Sequence, residues 1–223
     1  MPRPRSLTHP QIAAAALRVL DRDGLDALTM RAVANELDMG TMSVYRYVTD
    51  RAQLEALLVD HVLSTVDTDV ADTGTAGTHT NAGAGTDWIT HIETLVNRVR
   101  ATVGAHTAVI PLLLTHRHTS RHSMRWGDAV LGVLASAGFD ARQRVVAFRA
   151  LLAYVFGALQ VEYYGPLPGP GTAALAALDP DQFPHLADTA REARDMGVDE
   201  EFGGGLRLLL SGLAADARAG QAD

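Results

Sequence analysis

The chain has 223 residues, 47% of them hydrophobic, and a formal charge of -7 in which all 19 basic residues are arginine. At roughly 100 to 200 residues per domain, that length accommodates a small head and a larger second domain. The absence of cysteine excludes disulfides and thiolate zinc sites and agrees with a reducing compartment. No uninterrupted apolar run approaches the roughly 20 residues of a membrane span, and MPRPRSLTHP lacks the apolar stretch of a signal peptide. A cytoplasmic protein with no membrane contact is expected.

A first helix is predicted from Thr8, where Thr8 and Gln11 have capping-box spacing and Pro10 falls in the first turn. Ile12, Ala16, Leu17 and Leu20 form its apolar stripe, and Gly24 ends it. A second helix follows a Thr29 cap, with Val33, Ala34 and Leu37 on one face. Asp38-Met39-Gly40 then breaks the pattern. Gly40 is the expected site of a positive φ in a tight interhelical turn, with Met39 as an apolar plug beneath it. From Thr41 to Val48, Val44 and Val48 point inward and leave hydroxyls, phenols and a guanidinium outside, a face suited to a DNA groove. Asp50 and Gln53 start a further helix carrying Leu54, Leu57 and Leu58. Two short helices around a three-residue turn have the geometry of a helix-turn-helix.

These residues carry a specific resemblance. Leu28-Thr29-Met30-Arg31, Val33-Ala34, Leu37, then Ser43-Val44-Tyr45-Arg46-Tyr47-Val48 and Arg51 with Leu54 resemble the DNA-binding domain of the tetracycline-repressor family of one-component transcriptional regulators. Three positions depart from that pattern. Asp38 stands where the family usually has Gly, Val48 where it has Phe, and Arg51 where it has Lys. Asp also tolerates the left-handed conformation, Val stays apolar, and Arg keeps the charge with five donors. By residue type together with the resemblance, Tyr45, Tyr47 and Arg51 are expected on phosphates and Met30, Thr41 and Arg46 on base edges, with Arg31, Gly40 and Ser43 also at the DNA.

Net charge alone opposes DNA, since residues 1 to 60 hold seven Arg against eight acids. Distribution decides otherwise. Arg3 and Arg5 lie in a Pro-containing arm, Arg31, Arg46 and Arg51 cluster at the proposed face, and most acids fall elsewhere. Such a patch supplies phosphate contacts whose strength falls steeply with salt.

Residues 67 to 86 form a Thr/Gly/Ala-rich tract without helical period, read as a flexible connection. The expected domains are therefore a head over 1–62, a linker over 63–86 and a second helical domain over 87–223, an all-α chain. In that second domain, Trp88 to Thr102 carries the stripe Ile89, Ile92, Val96, Val99 and Val103. A short helix from Ala108 to about Thr115, a helix over Arg121 to Ala137 ending at Gly138, and a long one over Ala141 to Tyr163 follow. Gly165 to Gly171 terminates the long helix, and a last helix from about Asp199 to Ala217 aligns four leucines.

Surplus apolar faces on the two long helices argue for an intermolecular four-helix bundle, with Leu152, Val155, Leu159, Leu206, Leu209, Leu210 and Leu213 as interface candidates. Gly138-Phe139, Phe183-Pro184-His185-Leu186 and the Gly205-to-Leu213 pattern resemble the C-terminal domain of the same family. That resemblance implies a homodimer through the two long helices and an effector held between the helices that precede them. His91, Arg98 and His122 are the expected polar contacts to the effector, with Trp126 and Tyr154 as wall.

His116, His118 and His122 lie within seven residues, but Arg117, Arg121 and Arg125 crowd the same segment and make a cation costly there. No metal and no cofactor are expected. Nor is there a nucleophile elbow, phosphate loop or dinucleotide fingerprint, which argues against an enzyme. An architectural DNA-binding protein would share the head without needing the large apolar domain. The expected function is a ligand-responsive regulator, most simply a repressor, binding an inverted-repeat double-stranded operator as a dimer and released by a small-molecule effector of unknown identity. With two recognition helices in successive major grooves, their spacing would be about 34 Å.

Overall fold

The computed structural model describes residues 7–70 and 87–219. All regular elements among them are helices: α1 His9–Asp23, α2 Met30–Glu36, α3 Thr41–Tyr45, α4 Arg51–Leu63, α5 Asp87–Gly104, α6 Ile110–His116, α7 Arg121–Ser136, α8 Ala141–Tyr164, α9 Pro170–Ala176, α10 Pro184–Ala193 and α11 Val198–Ala219, with a 3₁₀ turn at Thr107–Val109 before α6. The arm with Arg3 and Arg5 lies outside the described residues, as does most of the expected linker, residues 71–86.

Local signals set the boundaries. Thr8 and Gln11 form the reciprocal capping box of α1, and Gly24 closes that helix at φ 81°. Thr29 caps α2 through the Ala32 amide, and Asp50 caps α4 through the Gln53 amide. Asp140 and Gln143 make a second capping box at α8, and Gly138, at φ 88°, takes the conformation that lets the chain leave α7. Two short helices, α9 and α10, occupy the stretch after Gly165 where no helix was expected. Each begins with a proline in its first turn, so a residue that reads as a helix breaker acts here as a starter.

The chain divides into two compact units, residues 1–133 and 134–223. In the first, α1 packs on α2 and α4, and α4 packs on α5 and α6. Its core is aliphatic: Ile12, Leu20, Leu28, Leu54, Leu58, Ile92 and Leu95 are fully buried. In the second, α8 packs on α11 and α9 on α10. The α8 helix is long and apolar enough, by length and composition alone, to cross a membrane. That differs from the expectation that no run comes close. Arg149 and Gln160 interrupt the apolar residues of α8, yet its mean hydropathy stays high along its length.

Candidate nucleic-acid interface

The helix-turn-helix is built by α2, its turn and α3. After α2 the Leu37, Asp38 and Met39 amides turn back onto the carbonyls of Val33, Asn35 and Ala34. The positive φ of this turn, 54°, sits at Asp38, while Gly40, expected to carry it, is extended at φ -71°. Asp is one of the few side chains that tolerates this region, because its short polar group bonds locally. Gly40 serves instead as the N-cap of α3. Helix α3 itself is short, ending at Tyr45, and the Tyr47 and Val48 amides both return to the Val44 carbonyl. Val44 and Val48 are fully buried beneath it, as the spacing predicted.

The outer side of this unit carries the polar residues. Arg31, Gly40, Tyr45, Arg46 and Arg51 are exposed, and Thr41, Ser43 and Tyr47 are half-buried. Arg31 and Arg46 make no ion pair among the described residues. Met30 is different: at 7% exposure it is part of the core, so its expected place on a base edge is corrected. As the first residue of α2 it lies on the inward side of that helix, set by the same stripe as Val33 and Ala34. Met42, which the sequence reading passed over, is 76% exposed on α3 and offers the flexible apolar side chain that Met30 does not. Its signal was legible, since it lies two residues before the inward Val44.

Neighbouring groups hold this face in place. The His9 imidazole lies 3.0 Å from the Tyr47 carbonyl and, facing an acceptor, donates from Nε2, tying the start of α1 to the chain beyond α3. On α1, Arg18 and Arg22 bond Glu36 at 2.7 and 2.9 Å. Hydrogen bonds from these two guanidiniums hold the Glu36 carboxyl below its ordinary value. Those arginines are thereby spoken for within the protein. Arg51 donates from Nε to Glu55 Oε1 at 2.7 Å and from Nη2 to the Leu25 carbonyl at 3.2 Å. With five donors, its guanidinium has others left for an anion.

The far side of α4 is held by polar contacts to α6 and α7. His116 Nε2 lies 3.0 Å from Glu55 Oε2. Asp60 Oδ1 accepts from the Ser120 hydroxyl at 2.8 Å and from the His122 amide at 3.2 Å. Three of the expected effector residues in this unit, His122, Arg98 and Trp126, are engaged within the protein. His122 faces Asp60 at 3.0 Å. Arg98 holds the Asp67 and Asp69 carbonyls at 3.0 and 2.8 Å and the Asp67 carboxylate. Trp126 is buried and donates its indole N–H to the Leu95 carbonyl at 3.0 Å, and His91 is half-buried. Tyr154 belongs to the other unit, where it packs on Phe202 with ring centroids 5.4 Å apart and donates its hydroxyl to the Phe202 carbonyl. Beside it a groove of about 380 Å³ between α8 and α11 is bordered by Glu162, Glu201 and the small residues Gly157 and Gly205.

The expected interface residues divide by burial. Val155, Leu159, Leu206, Leu210 and Leu213 are buried within the single chain, and a side chain already removed from water gains nothing further from a second copy. Leu152 and Leu209 are half-buried. Among the large apolar residues left outward on α8 and α11 are Val145, Val146, Val161, Tyr163 and Tyr164 on the first and Val198 and Leu208 on the second, with Leu208 78% exposed.

Comparison with known proteins places this architecture. Residues 12–55 match the family described as bacterial regulatory proteins, tetR family, and residues 81–217 match the tetracyclin repressor-like C-terminal domain. The HTH-type transcriptional repressor DrrR1 of Streptomyces coeruleorubidus is 27% identical over 95% of this chain and 78% of its own length. The crystal structure of apo ActR from Streptomyces coelicolor superposes with a TM-score of 0.79 at 25% identity, covering 99% of this chain and 100% of that one. ActR in complex with actinorhodin does so with a TM-score of 0.76 at 25% identity, over 95% and 98% of the two chains. A helix-turn-helix head, a helical C-terminal domain and family matches across both together identify the chain as a member of the tetracycline-repressor (TetR) family of transcriptional regulators.

Proposed function

We propose that this TetR-family regulator is a repressor that binds an inverted-repeat operator as a homodimer and is released by a small molecule with a large apolar surface. The observation that carries the DNA part is the outward face of α3 and its flanks. Arg31, Gly40, Thr41, Met42, Ser43, Tyr45, Arg46, Tyr47 and Arg51 surround a recognition helix whose inward valines are fully buried. Arg46 and Thr41 are assigned to base edges, and Tyr45, Tyr47 and Arg51 to phosphates. The repressor sense follows the name of the DrrR1 relative. A small-molecule effector is supported by ActR, a relative of similar fold solved in complex with actinorhodin.

A second copy is the occupant proposed for the outward side of α8 and α11. Val146, Ala153 and Val161 recur along α8 at intervals of seven and eight residues, and Leu208 stands exposed on α11. Covering such a stripe removes apolar surface from water at about 25 cal/mol per Å², and two helices from each copy make a four-helix interface. The two recognition helices of the dimer then meet successive major grooves about 34 Å apart.

A small-molecule panel read by thermal shift and by operator mobility shift tests the effector reading. Compounds that raise the melting temperature are expected to lower operator affinity together with it, by linkage between the two sites. A panel whose stabilising compounds all leave operator affinity unchanged would favour the architectural alternative.

A further inference from the structure

Glu55 is the point where two parts of the first unit meet. Its carboxylate is largely buried, with 15% side-chain exposure, and its two oxygens are divided between neighbours. Oε1 takes the Nε–H of Arg51, four residues earlier on α4, at 2.7 Å, and Oε2 faces Nε2 of His116, the last residue of α6, at 3.0 Å. Since an ionised carboxylate only accepts, Nε2 is the donor nitrogen of His116. That imidazole is itself 10% exposed, whereas the Arg51 side chain is 49% exposed. The three groups thus run from a buried end on α6 to a half-open end at the DNA face.

From this arrangement we propose that His116 and Glu55 are positioning residues for operator binding. His116 anchors the Glu55 carboxylate, and the anchored carboxylate holds the Arg51 guanidinium in the orientation that meets a phosphate. The proposal rests on the assignment of Arg51 to a phosphate.

The physical reason is conformational. A long arginine side chain has much rotamer entropy to lose when it is immobilised. Glu55 and the Leu25 carbonyl immobilise Arg51 before DNA arrives, through Nε and Nη2, so less is lost on binding. A carboxylate with one oxygen unanchored would wander within its rotamers and carry the guanidinium with it. The second consequence concerns α6. Moving it by the length of one hydrogen bond would part His116 from Glu55 and so loosen Arg51.

The test is a double-mutant cycle between His116 and Arg51, which do not touch, read as operator affinity of the intact protein across salt concentrations. His116→Ala is expected to weaken operator binding at least about threefold, the scale of coupling within one hydrogen-bonded network. His116→Gln, which keeps an N–H donor, is expected to restore most of it. On the Arg51→Ala background, His116→Ala is expected to have no further effect. Should His116→Ala fail to fold by circular dichroism, His116→Leu fills the space without a donor and enters the same cycle. If Arg51→Ala weakens binding and flattens the salt slope but the His116 effect is unchanged on that background, the relay is overturned and the phosphate assignment stands. If Arg51→Ala alters neither affinity nor slope, the phosphate assignment is overturned and the relay with it.

Discussion

The Ser120 hydroxyl at the start of α7 donates to Asp60 Oδ1 on α4 at 2.8 Å, across 60 residues of sequence. Burial pushes the Asp60 carboxyl up, but hydrogen bonds from the Ser120 hydroxyl and the His122 amide, with the His122 imidazole close by, outweigh it and hold the group below its ordinary value of 3.8. The folded state therefore releases this proton more readily than the unfolded chain. The resulting stabilisation is present above the unfolded value near 3.8 and is lost as pH falls below it. Asp60→Asn should remove this contribution. Urea midpoints measured from about pH 6 to about pH 3 should then fall less steeply for the variant than for the unmodified protein. Parallel curves would contradict the assignment.

At neutral pH the same bond predicts a stability loss. Ser120→Ala leaves Asp60 without its hydroxyl donor and should cost about 1.5 to 3 kcal/mol, the range for a hydrogen bond to a charged group. A denaturant midpoint unchanged by Ser120→Ala would show that water replaces the hydroxyl at no cost.

Gly205 on α11 has no room for a side chain. A Cβ there would meet the Tyr154 hydroxyl at 2.7 Å and its ring at 2.9 Å. Gly205→Ala should therefore displace Tyr154 and destabilise the chain by about 1 to 3 kcal/mol, as overpacking does. Gly212→Ala on the same helix meets nothing within 4 Å and should be neutral or slightly stabilising. Equal melting temperatures for the two variants would refute the close approach.

Asp38 is the non-glycine residue with positive φ among the described residues, at 54°. Asp38→Gly should preserve stability within about 0.5 kcal/mol, and Asp38→Val should cost about 1 to 2 kcal/mol, because a β-branched side chain collides with its own backbone there. The Val variant should also weaken operator binding by disturbing the entry to α3. Equal stability of the two variants would place the turn in another conformation.

The helix starts were legible because their signals are local. Thr8, Thr29 and Asp50 each act on an amide three residues later, a distance visible in the chain itself. The turn was harder, since Asp38 and Gly40 both tolerate a positive φ and only the hydrogen bonds to Ala34 and Asn35 decide between them. Long-range pairing was not legible at all. Nothing near His116 or His122 reveals that Glu55 and Asp60, about sixty residues earlier, lie opposite them. The outward faces of α8 and α11 were hard to read for a related reason. A leucine stripe shows that a helix buries one side, but whether its own chain or a second copy covers that side depends on packing partners distant in sequence. Leu206 and Leu210 are buried in the single chain, whereas Leu208 between them is exposed.

That exposed residue gives a direct test of assembly. Leu208→Glu places a charge in the proposed seam without touching the intramolecular core, so the variant should remain folded and become monomeric at micromolar concentration. Light scattering that finds the unmodified protein monomeric, or the variant still dimeric, would reject this face as the interface.

The most direct measurement of the account is selection of binding sites from random duplex DNA by the intact protein. The predicted result is enrichment of a two-fold symmetric sequence whose half-sites are spaced for successive major grooves, lost together with affinity when Arg46 is replaced by alanine. Failure to enrich any sequence, or enrichment of an asymmetric site that Arg46→Ala binds equally well, would contradict an operator read by α3.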